Sequence, residues 1–384
     1  MWTGPKFKEK KTALLRSMTV FTVLASGSAL ALLPGNVFWP YFAGLVILLI
    51  GATGVSGDVL AARGWDKIVA LGPVCYGVPL AVFGAEHFAS AQFIVKAVPS
   101  WMPGPWFWTY FVGTSLFAAA LSLALKKHAG LAAGPTALML FCFVLMLHIP
   151  GALAKTGDRF RWIVALRDLS FSAGALAFAG AQMAEKRGKT ASAMIAIGRV
   201  VIGVVVVVFG VEQLVRPDGV PGVPLERLTP TWIPGHKLWA YVAGVVFVVA
   251  GGYLLANRKT RWAATVVGVT VLLLVLLVYG PILGESAADI GNGLNYFADT
   301  LLFAGAALLL AEAMPGEGYE YIREGVQQRA GDVASDRRYA DERVAYRPQG
   351  ERQNLADQSR GDHDGRGAGK LCAGEAQVGF GPVA

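Results

Sequence analysis

The sequence is built around a series of apolar blocks, nearly free of charge, each about 17–25 residues long, the length a helix needs to cross a hydrocarbon core of roughly 30 Å. Ten such blocks run at 17–33, 41–60, 68–85, 107–125, 131–149, 162–184, 193–215, 238–256, 262–281 and 293–313. Lipid offers no hydrogen bonds to an irregular backbone, so each block is expected to be helical, even the valine run at 204–208 that would read as strand in water. Only 16% of the 384 residues are charged, against about 25% in a soluble domain. The sequence therefore predicts an all-α, polytopic membrane protein of about ten transmembrane helices.

Basic residues set the expected orientation. With the N-terminus inside, the cytoplasmic connections hold fifteen Lys and Arg and the opposite ones seven. That bias puts both termini in the cytoplasm, and a plasma (inner) membrane location follows. Basic residues at 6–16 followed by an apolar stretch and Ala29-Leu30-Ala31 also fit a secretory leader. A retained first helix is preferred, because a repeat begins immediately after it. Residues 315–384 hold ten basic and twelve acidic residues and no sustained apolar period, which reads as a disordered cytoplasmic tail. The membrane body then carries the whole basic excess of the chain, net +8. That excess is a topology signal, with the lipid bilayer as partner and no nucleic acid implied. Cys75 and Cys142 lie in apolar segments and Cys372 in the tail, with no metal-ligand spacing among them.

The pattern P-G-x-x-x-W-x-Y-x-x-G occurs three times, as Pro34, Gly35, Trp39, Tyr41, Gly44; as Pro103, Gly104, Trp108, Tyr110, Gly113; and as Pro234, Gly235, Trp239, Tyr241, Gly244. Pro and Gly start a helix cleanly. Trp and Tyr suit the headgroup level, and a Gly one turn deeper lets a neighbouring helix come close. The motif reads as structural. The last two copies extend further. Phe83-Gly84-Ala85-Glu86-His87 matches Phe209-Gly210-Val211-Glu212-Gln213. At a constant offset of 131, His148-x-Pro150 matches Tyr279-x-Pro281, and Asp168 with Gly174 matches Asp299 with Gly305. The expected organisation is a partial repeat of two helices over 1–63, four-helix units over 67–184 and 192–314, and the tail. An even number of spans per unit makes the repeats parallel.

These residues resemble the DoxX family, over 67–314. The likeness lies in a four-helix unit whose first helix ends in F-G-x-E-[HQ], an aromatic-rich outer loop, and a fourth helix with Asp followed by Gly-Ala. The resemblance implies a membrane subunit or partner of an oxidoreductase, of the kind that includes the small subunit of thiosulfate:quinone oxidoreductase, with quinone a possible cofactor. The chain departs from single-unit relatives in being fused and in carrying the extra helix pair.

Ionisable side chains within spans are expensive, about 2.5–3.5 kcal/mol each on insertion scales. Here they gather near the outer ends: Glu86, His87, His148, Arg167 and Asp168 in the first unit, and Glu212, Gln213, Tyr279 and Asp299 in the second. If each unit closes on itself, these form one outward-facing polar pocket per unit, for a quinone headgroup or another small molecule, with His148 and the carboxylates exchanging protons. The competing reading has Glu86 and Asp168 simply paired with Arg167. No catalytic residue is assigned and no metal site is expected. A small-solute transporter and a membrane scaffold without chemistry stand as alternatives.

Overall fold

The computed structural model describes residues 34–183, 188–230, 233, 235–280 and 290–315. The expected helix at 17–33, the tail from 316 onward and Pro234 of the third motif lie outside the described residues. Those residues hold nine helices long and apolar enough to cross a membrane: α1 (Gly35–Ala61), α2 (Asp66–Ala89, with a break before Gly72), α3 (Pro105–Leu125), α4 (Ala129–Ala154), α5 (Arg159–Gln182), α6 (Lys189–Val215), α7 (His236–Leu255), α8 (Thr260–Tyr279) and α9 (Ile290–Ala313). No strand occurs among them; one isolated bridge joins Gly219 to Leu228. The chain is an integral membrane protein of all-α class.

The motifs sit where helices begin. Gly104 and Gly235 adopt left-handed backbone angles, φ 67° and 65°, as N-caps of α3 and α7, while Pro34 precedes Gly35 at the start of α1. Trp39, Tyr110 and Tyr241 are exposed, as a belt facing headgroups would be. Trp108 donates from Nε1 to the Pro103 carbonyl at 3.0 Å. The second glycine of each motif is a contact point. A Cβ on Gly44 would meet Val82 at 2.8 Å, one on Gly113 would meet His87 at 2.7 Å, and one on Gly244 would meet Leu214 at 2.8 Å.

The duplication extends to backbone detail. Lys126 and His128 end the α3–α4 turn in left-handed conformations, and so do Asn257 and Lys259 between α7 and α8, at the same offset of 131. Each third helix then widens into a π segment, Val144–His148 and Val275–Tyr279. The cause is legible in sequence. Pro150 has no N–H to give to the carbonyl four residues earlier, and its ring crowds that carbonyl. A π turn relieves this and shifts the face on which His148 projects.

Sequence alone suggests that each four-helix stretch closes on itself. The structure instead exchanges helices at the seam. α2 packs along α9 and α6 along α5, so the first helix of each unit lies on the fourth helix of the other, and α5 and α9 pack together at the centre. The exchange repeats in register: Gly72 of α2 touches Leu308 of α9, and Gly198 of α6 touches Ala177 of α5, two positions again 131 apart. α2, α5 and α9 are the most enclosed spans. Small residues allow this. Gly174 abuts Ala306, and Gly305 abuts the Tyr76 backbone, where a Cβ would come within 2.5 Å of the amide nitrogen. Tyr76, fully buried, donates its hydroxyl to the Phe171 carbonyl at 2.9 Å and so ties α2 to α5. α1 adds to the side of α2 and also touches α3.

Gly305→Ala is therefore expected to destabilise the protein by about 1–3 kcal/mol despite the better helix propensity of alanine. Gly134→Ala, where a Cβ meets nothing within 4 Å, should be neutral or mildly stabilising. Thermal unfolding of the two variants in detergent checks the pair.

Candidate functional site

The fourth helices bring their aspartates to the seam. Asp168 on α5 and Asp299 on α9 are repeat mates, and one residue, Arg167, binds both: Nε lies 2.8 Å from Asp168 Oδ1 and Nη1 lies 2.5 Å from Asp299 Oδ2. Asp168 presents its other oxygen to His148 Nε2 at 2.7 Å. The guanidinium also stands over the Phe171 ring, 5.7 Å from its centroid. Asp168 and Asp299 are buried and Arg167 is partly buried, and His148 is the most open member, at 24% of its side-chain surface. The cluster arises from α5 and α9 packing together and from the π segment that turns His148 toward α5.

The arrangement is asymmetric for a reason written in the repeat. Arg167 corresponds to Ala298, and His148 to Tyr279. Two equivalent carboxylates facing each other would repel, and a single arginine inserted on one side neutralises the pair in a planar, multiply donating geometry. Chemically, the array can present the His148 ring to a ligand, orient that ring through Asp168, and pair both carboxylates with Arg167.

The other expected residues go elsewhere. His87 donates from Nδ1 to the Phe83 carbonyl of its own helix, 2.7 Å away, and takes no part in the cluster. Glu86 lines a cavity of about 410 Å³ between the ends of α1, α2 and α9, together with Asn36, Ser90, Phe93, Asn292 and Asn295. In the second unit the corresponding region is covered by the connection that follows α6, whose described residues 216–230 fold inward. Its Val220, Val223 and Leu225 are buried, and it is fastened by polar contacts. Tyr279 donates to the Pro221 carbonyl at 3.0 Å, Gln213 Nε2 to the Gly222 carbonyl at 2.7 Å, and Arg159 Nη1 to the Pro224 carbonyl at 2.8 Å. Gly222, at φ 105°, is the residue that lets this loop turn beside Thr300 and Tyr279. Glu212 pairs with Arg159 at 3.3 Å and with Arg216 at 3.7 Å.

Thus the expected pocket in each unit resolves into one shared ion cluster at the seam, one cavity at Glu86, and one filled site around Tyr279. Sequence reasoning missed Arg159, Ser90 and Asn36. The repeat, applied to every polar residue and not only to carboxylates, pairs Ser90 with Arg216 and would have found it, whereas Arg159 falls on an isoleucine. No group of three or more His, Cys, Asp or Glu poised to hold a metal occurs among the described residues.

Removing Arg167 strands two buried carboxylates, so Arg167→Ala should cost about 3–5 kcal/mol. Adding Asp299→Asn to that variant should recover part of the loss, because the two positions share one interaction. A double-mutant cycle read by thermal unfolding measures both effects.

Residues 194–280, which run from α6 to the end of α8, match the DoxX family model. No curated protein and no solved structure matches the chain. The family match falls on the unit whose helices and repeat mates were described above, so that unit is similar to the DoxX family, and the nine apolar spans among the described residues make the chain an integral membrane protein.

Proposed function

We propose that the chain is a redox-associated membrane subunit of the plasma (inner) membrane, with the motif-bearing helix ends facing outward and the termini in the cytoplasm. Its working site is the His148–Asp168–Arg167–Asp299 cluster, and it serves a quinone headgroup or a similar small acceptor of protons. The observation that carries this reading is the cluster itself: two equivalent carboxylates, an arginine and a histidine are kept together inside an apolar seam, where charge is costly. A quinone takes up two electrons and two protons when it is reduced. Electrons would come from a partner oxidoreductase. The chain's own part is proton handling. His148, the most accessible member, offers its imidazole to the ligand; Asp168 fixes the ring; Arg167, itself anchored by Asp299, holds Asp168 in place.

A transporter built from two parallel repeats is the second reading, favoured by the matched π segments of α4 and α8. The exchanged helices weigh against it. With α2 on α9 and α6 on α5, the two units interlock and cannot rock as separate bodies. The scaffold reading has no comparable structural observation in its favour.

Purified protein titrated with a short-chain ubiquinone or menaquinone analogue should bind it saturably, and Asp168→Asn or His148→Phe should weaken that binding at least tenfold. Binding that is absent, or unchanged in both variants, overturns the reading. Saturable counterflow of a solute in proteoliposomes would put the transporter first.

A further inference from the structure

Glu86 and Glu212 occupy equivalent places at the same end of α2 and α6, yet among the described residues only Glu212 has cationic partners. Glu212 is held by Arg159 and Arg216. α5 brings Arg159 to α6, and in the exchanged packing α9 stands to α2 as α5 stands to α6. Carried through the repeat, Arg159 falls on position 290, an isoleucine, and Arg216 falls on Ser90. Neither guanidinium has a counterpart at the end of α2, while the carboxylate they would serve is kept.

The space has not been refilled with apolar side chains. It remains the cavity of about 410 Å³, and its lining includes Glu86, Ser90, Asn36 and Asn295, with Phe93 and Ile94 beside them. Phe93 is 77% exposed. Glu86 has no cationic or hydrogen-bonding partner among the described residues. A half-buried carboxylate that keeps its position without a counter-ion is poorly compensated, and a cation brought to it restores the balance.

We propose that this cavity binds a small organic cation of the guanidinium class, which takes at Glu86 the place that Arg159 and Arg216 take at Glu212. The planar fork of a guanidinium matches both carboxylate oxygens. Its remaining N–H groups find acceptors in the Ser90 hydroxyl and the side-chain carbonyls of the asparagines. The volume admits a small substituent, and the Phe93 ring at the cavity gives the cation an aromatic neighbour. None of the residues that line this cavity belongs to the seam cluster.

The test is calorimetry on the full-length protein in detergent, with methylguanidinium and tetramethylammonium as probes at matched ionic strength. Methylguanidinium should give saturable heat, and tetramethylammonium, which cannot donate hydrogen bonds, should bind at least tenfold more weakly. Glu86→Gln should lower methylguanidinium affinity at least tenfold, whereas Asp66→Asn at the opposite end of α2 should leave it unchanged. Ser90→Arg returns an internal guanidinium to the site, so it should abolish the binding heat and raise the melting temperature without ligand. Absence of saturable heat in the unaltered protein, or equal affinity in Glu86→Gln, overturns the proposal.

Discussion

The central constraint is electrostatic. Packing the two fourth helices together brings the repeat-related carboxylates of Asp168 and Asp299 to one buried seam, and the single guanidinium of Arg167 makes that closeness tolerable. Without it the glycine and alanine contacts of α5 and α9 would press two like charges together in a medium that screens them poorly. The small residues set how near the helices come, and the arginine sets whether they can stay there. His148 enters the same network through a helix distortion that the following proline imposes.

Much of this was legible in the residues. The apolar blocks gave the spans to within a few positions, because hydrocarbon thickness fixes helix length. The offset of 131 marked Asp168 and Asp299 as mates, and the motif glycines marked where helices touch. What the sequence withheld was the partner of each helix. A glycine announces close approach but not what approaches it, and the small-residue faces of α5 and α9 serve equally well for a neighbour in the same unit or in the other. The exchanged packing, and with it the merging of two expected pockets into one cluster, depends on that choice. The inward fold of residues 216–230 was equally hidden, since their Val-Pro-Gly-Val-Pro composition reads as an ordinary outer loop until Gln213 and Tyr279 are seen to bind its carbonyls.

The two units have diverged in a consistent direction. In the second, Glu212 has arginines, Tyr279 and the Gln213 amide nitrogen have loop carbonyls, and loop residues fill the interior. The first keeps ionisable groups with partial access, His148 on one side and Glu86 on the other. Duplication allows such a division, since one copy can hold the architecture while the other retains groups too costly for stability alone.

The exchanged helices also bear on how the protein is made. α2 leaves the ribosome early, yet the surface against which it packs belongs to α9, about two hundred residues later. Until α9 inserts, the small-residue face of α2 and the charged turn of α5 have only lipid, water or the insertion machinery for company. Biogenesis of this chain is thus a late-closing process, in which the last membrane helix acts as a keystone and nascent chains cut short before it cannot reach the native arrangement.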